Sequence, residues 1–393
     1  MIDVIIVSNY YPPDLGAASN RIGLLARGLA KDHNVSVICP MPNYPMGRVL
    51  EAYRGKIYLR ENDNKIDIFR FYILPSKSKN PILRFISMIS FSMSMWLFIL
   101  HFKKIVKAQK ILIQNSPILV SFFSIIFFKK FFSKEIFLNV SDLWPESAVA
   151  VGAMKKGMVY KIMKKIERFN YKNSDKIIGQ SDEICNYVGS IVSRNTFTYR
   201  NLQPDFELKT ITKKNNKIIY AGLLGVAQGV LEIIKNMNLT GLDIEFDIFG
   251  DGNEKELIVE YLNENPNNKI NYKGVVSKKE LDKISPEYLY SLVPLNAPII
   301  GAVPSKIFDF SSKSVPIILM ASGEAADIVK NNNIGYVLKQ NDFGALNRLL
   351  KKISMEREDK NYKQLVLNCK SVSKKLFCFE NQLINFKSFL HEK

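Results

Sequence analysis

The chain has 393 residues, 47% apolar and 23% charged, which is too long for one ordinary core and too apolar for a disordered protein. A formal charge of +18 directs it toward nucleic acid, an anionic membrane face or phosphorylated small molecules without choosing among them. Four cysteines without CxxC spacing and only three histidines argue against a zinc site or a disulfide scaffold and fit a reducing cytoplasm.

Met1-Ile2-Asp3 leads straight into an apolar strand from Val4 to Val7, without the basic leader and cleavable run of a signal peptide, so a cytoplasmic protein is expected. Behind that strand come a glycine-bearing turn, Asp14 to Ala18, a helix from Arg21 to Lys31 and a strand from Val35 to Cys39: a βαβ unit. Further strand-length apolar runs lie at Ile66 to Phe71, Ile111 to Ile113, Ile136 to Val140 and Lys176 to Ile178. The uncharged stretch from Phe85 to Leu100 contains four serines and is shorter than the roughly 20 apolar residues of a spanning helix, which predicts a monotopic or buried helix. Lys103, Lys104, Lys107 and Lys110 follow it. From Lys155 to Arg168, Met158, Ile162, Ile166 and Phe169 recur at helical spacing among Lys155, Lys156, Lys161, Lys164, Lys165 and Arg168. Two readings of this basic helix stand: one that lies on an anionic bilayer, and one whose apolar stripe is core.

A polar interval from Asn201 to Asn216 precedes a second series of runs: Ile218 to Ala221, Ile244 to Phe249, Ile270 to Tyr272, Tyr290 to Val293, Pro316 to Met320 and Tyr336 to Leu338. The expected organisation is an α/β chain with two doubly wound, Rossmann-like parallel sheets facing across a cleft. Its domains are residues 1–200 and 217–375, with a C-terminal helix, 376–393, that can return to the first domain.

The chemistry begins with Pro304-Ser305-Lys306-Ile307-Phe308-Asp309. Pro304 suits the first turn of a helix whose free amides can hold an anion, with Ser305 and Lys306 at that anion. Asp309 falls one turn deeper on the same face, where its carboxylate can accept from a ribose diol. A capped helix with a surface Lys and Asp is the competing reading. Gly16, between strand and helix, lets a backbone approach a phosphate, yet Asp14-Leu15-Gly16 lacks the spaced glycines of a dinucleotide fingerprint. Asp142 stands at the C-terminal end of a strand, as a catalyst or as a helix cap, with Glu146 beside it.

In order along the chain, Tyr11-Pro12-Pro13 to Gly16-Ala17-Ala18 and Arg21, Pro42 to Gly47, Ser141-Asp142-Leu143-Trp144-Pro145-Glu146-Ser147, Tyr220-Ala221-Gly222 to Gln228-Gly229, Gly250-Asp251-Gly252 and the Pro304 block resemble glycosyltransferase family 4, in particular bacterial members of O-antigen and capsule synthesis. The resemblance implies a GT-B fold and a retaining, metal-independent transfer from a UDP- or GDP-type nucleotide-sugar. The sugar would be an N-acetylated hexosamine or deoxyhexosamine, and the acceptor a lipid-linked glycan precursor. No cofactor or metal is implied, and no Asp-x-Asp cluster is present to hold one. The enzyme would sit peripherally on the inner face of the cytoplasmic membrane.

Carried over position by position, the resemblance places Gly222, Gln228, Gly250 and Gly252 on the nucleotide side and Gly274 at the base. Asp309 takes the second of two glutamate places eight residues apart, and Gly301 falls at the first. Donor-sugar contacts are thereby left to the backbone of Ala302, Val303 and Pro304, or to Glu324. Leu223 and Gln228 stand where many relatives carry an Arg and a Lys against the diphosphate, which nominates Lys306, Arg21 and the helix start at Ser305 as substitutes. Ser141 replaces the common histidine before Asp142. The competing functions are a GT-B nucleotide-sugar epimerase and a catalytically silent scaffold of an envelope-glycan complex. A nucleic-acid-binding protein ranks below both, because no recognised module of interleaved aromatics and cations is present.

Overall fold

The computed structural model describes residues 3–76, 81–99, 107–204, 215–266, 269–355 and 360–392. Two compact units emerge: Met1–Arg200 with Leu383–Lys393, and Asn201–Gln382.

In the first unit, strands β1 (Asp3–Val7), β2 (Asn34–Pro40), β3 (Tyr58–Asp63), β4 (Ile66–Phe71), β5 (Lys110–Gln114), β6 (Glu135–Val140), β7 (Lys176–Gly179) and β8 (Asn195–Thr198) form one sheet. Its order is β3-β4-β2-β1-β5-β6-β7-β8. Every pairing is parallel except β3 with β4. Central strands such as β1 and β2 are buried on both faces, which is why they read as unbroken apolar runs rather than alternating ones. The sequence reading missed β3 and β8. The first is a charged edge strand joined to β4 through Asn64 and Lys65, both at positive φ (47° and 77°), as a two-residue type I′ hairpin requires.

Helix Phe379–His391 completes this unit. Phe386 and Phe389 pack on Phe197 with ring centroids 5.6 and 5.3 Å away, and Lys176 Nζ donates to the Phe389 carbonyl at 3.0 Å. A Cβ on Gly28 of helix Ala17–Leu29 would lie 2.6 Å from a Leu383 methyl, so this packing depends on a residue without a side chain.

Helix Pro81–Ile99 buries Phe91 and Met95 in the core and leaves Leu83, Ile86, Met93 and Leu97 exposed. One face is therefore protein core and the other is open apolar surface. Leu100, Lys103 and Lys104 lie outside the described residues. Among the described residues no helix is long and apolar enough to cross a membrane.

Helix Met158–Asn173, for which two readings stand, leaves the start of its apolar stripe open: Met158 and Ile162 are exposed, and its fully buried residues are Glu167, Asn170 and Tyr171. Asn170 Nδ2 donates to Asn115 Oδ1 (3.2 Å), the Ile118 carbonyl (3.1 Å) and Ser121 Oγ (2.8 Å), so hydrogen bonds seat this face alongside the core packing of Tyr171 and Phe169.

The second unit is a six-stranded parallel sheet of β9 (Lys217–Ala221), β10 (Glu245–Phe249), β11 (Ile270–Gly274), β12 (Tyr290–Pro294), β13 (Ile317–Met320) and β14 (Gly335–Leu338). Its order is β11-β10-β9-β12-β13-β14, reversing direction between β9 and β12. That switch point opens a crevice at the strand C-termini. Core residues such as Phe246, Ile248 and Leu292 are fully buried, each contributing about 1.5–3 kcal/mol by leaving water.

Candidate functional site

At the switch point of the second unit, bare backbone replaces side chains. Gly250 follows β10 with φ 147°, and a Cβ there would lie 1.8 Å from the Gly222 carbonyl oxygen, so no other residue fits. Gly252 approaches the Leu224 carbonyl equally closely, at 2.1 Å for the same construction. Three backbone bonds lace these ends together: Gly222 N to Phe249 O (2.9 Å), Leu224 N to Asp251 O (2.9 Å) and Gly250 N to Gly274 O (2.9 Å). Gly274 has open space where a Cβ would stand. The loop from Gly222 to Gly229 is tied to the end of β12 by Asn296, whose backbone N donates to Ala227 O (2.8 Å) and whose Nδ2 donates to Val226 O (3.1 Å). Leu223 and Val226 on this loop are exposed, while Gln228 Oε1 is buried without a hydrogen-bond partner.

Lys306 reaches back to this glycine lattice. Its Nζ lies where a Cβ on Gly222 would come within 2.2 Å, and it sits 5.6 Å from the centroid of the Tyr220 ring. Burial pulls the ammonium below its ordinary range, with Asp309 opposing. Lys306 forms no ion pair among the described residues, and the opposing charge of Asp309 does not offset its desolvation. Pro304 lies ahead of the expected position: Ser305 is the cap and the helix spans Lys306–Ser312, only about two turns. The side-chain cation, rather than the short helix, is therefore the main positive element here.

Asp309 on that helix is already engaged. Lys278 Nζ donates to its Oδ1 at 2.5 Å, and Lys313 Nζ pairs with the same oxygen at 2.9 Å. Glu324 begins helix Glu324–Asn331 behind Gly323 (φ 69°) and is buried.

In the first unit, side chains gather at the C-terminal ends of β5, β6 and β7. Arg21 is 3% exposed and donates to Gln180 Oε1 (3.3 Å), Gln114 Oε1 (3.3 Å) and Asn139 Oδ1 (3.2 Å). Its role thus differs from the expected diphosphate contact: the guanidinium is enclosed and bonded to three neutral amides. Burial lowers it to about 10, which leaves it charged at neutral pH. Gln114 Nε2 in turn donates to Ser141 Oγ at 2.8 Å, extending the chain of amides to the residue before Asp142.

Asp142 accepts from Ser147 Oγ at 2.8 Å, and burial raises its carboxyl above the usual range despite that bond and one from the Leu143 amide. Glu146 is held differently: Tyr160 donates to its Oε1 at 2.8 Å and Lys164 pairs with it at 2.9 Å, which lowers it despite burial. Of the two carboxylates, Asp142 is therefore the more basic. Gly16, at φ 117°, lies against the Tyr44 ring, and Asp14 Oδ1 accepts from the Asn43 and Tyr44 amides at 2.7 Å each. These contacts fasten the first two loops together and leave Leu15, Tyr44 and Met46 exposed at their tips.

Among the described residues no cluster of three or more His, Cys, Asp or Glu side chains has the geometry to hold a metal ion. Sequence reasoning missed Lys278, Asp282 and Lys313, which surround Asp309, and the amides around Arg21. The one available signal was Lys313, four residues after Asp309 in a helical pattern.

Residues 203–372 match the family model described as glycosyl transferases group 1. No curated protein matches the chain. By structure it is similar to sucrose-phosphate synthase from Thermosynechococcus elongatus, with 12% identity, TM-score 0.77, and 99% of this chain and 98% of that one covered. Anabaena HepE, solved in complex with UDP-glucose, follows with 10% identity, TM-score 0.70, and 99% of each chain covered. WaaG, a glycosyltransferase involved in lipopolysaccharide biosynthesis, has 12% identity and TM-score 0.65, with 99% and 100% covered. The chain has the GT-B fold of two Rossmann-like parallel-sheet domains.

Proposed function

We propose that this protein is a retaining, metal-independent glycosyltransferase that moves a sugar from a nucleotide-sugar to a lipid-linked glycan precursor at an anionic membrane face. The observation that carries the reading is Lys306, which forms no ion pair among the described residues and is set against Gly222 at the strand ends of the second unit. The match of residues 203–372 to group 1 glycosyl transferases supports it, as does HepE having been solved with UDP-glucose. UDP is accordingly the first nucleotide to test.

In this mechanism the second unit holds the donor. Lys306 neutralises charge as the bond from the anomeric carbon to the phosphate oxygen breaks. The acceptor hydroxyl attacks the same face of that carbon, and its proton passes to the departing phosphate oxygen. Asp142, raised by burial, orients the acceptor in the first unit and needs no histidine beside it. Arg21 holds the amide floor of the first unit rather than touching phosphate.

The membrane reading is supported by the exposed Met158, Val159 and Ile162 interleaved with the exposed Lys161, Lys165 and Arg168. The open face of helix Pro81–Ile99 adds to this surface.

The test is transfer of labelled sugar from UDP-sugars into a lipid-extractable product, with chelator present. Product formed only with membrane lipid supports the proposal. Conversion of the donor without acceptor would favour an epimerase, and no turnover of any nucleotide-sugar would favour a silent scaffold.

A further inference from the structure

Asp309 sits in a cluster whose members come from two helix ends. Lys278 and Asp282 belong to helix Lys278–Ile284, which follows β11, and Lys313 caps the helix that carries Asp309. Lys278 Nζ lies 2.5 Å from Asp309 Oδ1 and 2.9 Å from Asp282 Oδ1. Lys313 Nζ lies 2.9 Å from Asp309 Oδ1 and 2.8 Å from Asp282 Oδ1. Two ammonium groups and two carboxylates make the cluster neutral, which lets the Lys313 side chain be buried to 1% exposure.

Both cations converge on the same oxygen of Asp309. Its Oδ2 takes no hydrogen bond among the described residues, and the side chain keeps 16% of its exposure. A carboxylate with one oxygen fixed and the other open is rotationally locked before any ligand arrives. We infer that Lys313, together with Lys278, is a positioning residue for the nucleotide: it pins Oδ1 of Asp309 and so presents Oδ2 to the ribose diol. Asp282 offsets the repulsion between the two ammonium groups. The inference rests on the reading of Asp309 as the ribose acceptor.

The charged groups facing Asp309 are Lys278 and Asp282 from the neighbouring helix and Lys306 and Lys313 from its own. Burial alone would raise the Asp309 carboxyl, and Lys313 and Lys278 outweigh it to hold it below the usual range. The preference for UDP over its dideoxy analogue in the wild type should therefore stay level as pH falls toward the ordinary carboxylate range, because protonation of the terminal phosphate at about pH 6 is common to both ligands. Removing Lys313 should move the acid loss of that preference to higher pH.

The experiment is calorimetric titration of the full chain with UDP and with 2′,3′-dideoxyuridine diphosphate between pH 5 and 8, for wild type, Lys313→Met, Lys313→Arg and Lys278→Met. The wild type should prefer UDP by roughly tenfold to a hundredfold, the range of a hydrogen bond to a charged group. Lys313→Met should cut that preference to about threefold or less, introduce the acid loss and leave dideoxy affinity unchanged, and Lys313→Arg should restore the preference. Lys278→Met, at a half-exposed position, should show the same change in weaker form even where Lys313→Met does not fold. A wild type that treats both nucleotides alike overturns the ribose reading of Asp309 and this inference with it. A full preference and unchanged pH profile in a folded Lys313→Met or in Lys278→Met overturns the positioning role alone.

Discussion

The two sheets share a switch point of the same kind, yet their strand ends are built in opposite ways. In the second unit, Gly222, Gly250, Gly252 and Gly274 strip the ends to backbone, and Lys306, brought to them, forms no ion pair among the described residues. In the first, Arg21 with Gln114, Asn139 and Gln180 fills the ends of β5, β6 and β7, on the other side of the switch point, and the buried cation is saturated by neutral oxygens. A charge that is desolvated and unsatisfied can gain by meeting an anionic ligand, whereas one already bonded on three sides serves structure. The difference teaches that charge and burial alone did not separate Lys306 from Arg21; the surrounding partners did.

The largest expected effect comes from removing the saturated cation. Arg21→Met should destabilise the protein by about 3–5 kcal/mol, because it leaves buried amide oxygens unbonded. UDP affinity of the folded fraction should be unchanged, measured by denaturant unfolding alongside titration. Weakened UDP binding without loss of stability would erase the contrast between the units.

Asp142→Asn should slow turnover by about a hundredfold while sparing UDP affinity. Since burial raises this carboxyl, the active ionised form is lost as pH falls, and the acid limb of kcat should lie above the ordinary carboxylate range and vanish in the variant. An unshifted limb would remove Asp142 from the reaction. Gly250→Ala should cost about 2 kcal/mol by forcing β10 away from the Gly222 carbonyl, and should weaken UDP binding as well, read by thermal unfolding and titration. The smallest effect is a gain: Leu223→Arg places a charge on the exposed loop and should tighten UDP about threefold, as an exposed ion pair does.

Most of the fold was legible because buried parallel strands are unbroken apolar runs, and the turn glycines stand at their ends. Tyr58–Asp63 and Asn195–Thr198 were not, since edge strands exposed to water carry the polar residues of a loop. Helix Met158–Asn173 was legible as a helix but not in its orientation. Its apolar stripe suits either a bilayer face or a core face, whereas the buried residues include Asn170, held by Ser121 of another helix, and Glu167, paired with Lys164 of its own. The same limit applies to the site. The glycines, Lys306 and Asp309 could be picked out from local order, but Lys278 reaches Asp309 from 31 residues away in sequence, and no local pattern records that contact.

The contrast between the units is tested most directly by titrating wild type and Lys306→Ala with UDP and with uridine, without added metal. The account predicts that the variant loses roughly tenfold to a hundredfold in UDP affinity, the range of a charge-assisted bond, and nothing for uridine. Equal UDP affinity in the two proteins, or equal losses for both ligands, would contradict it.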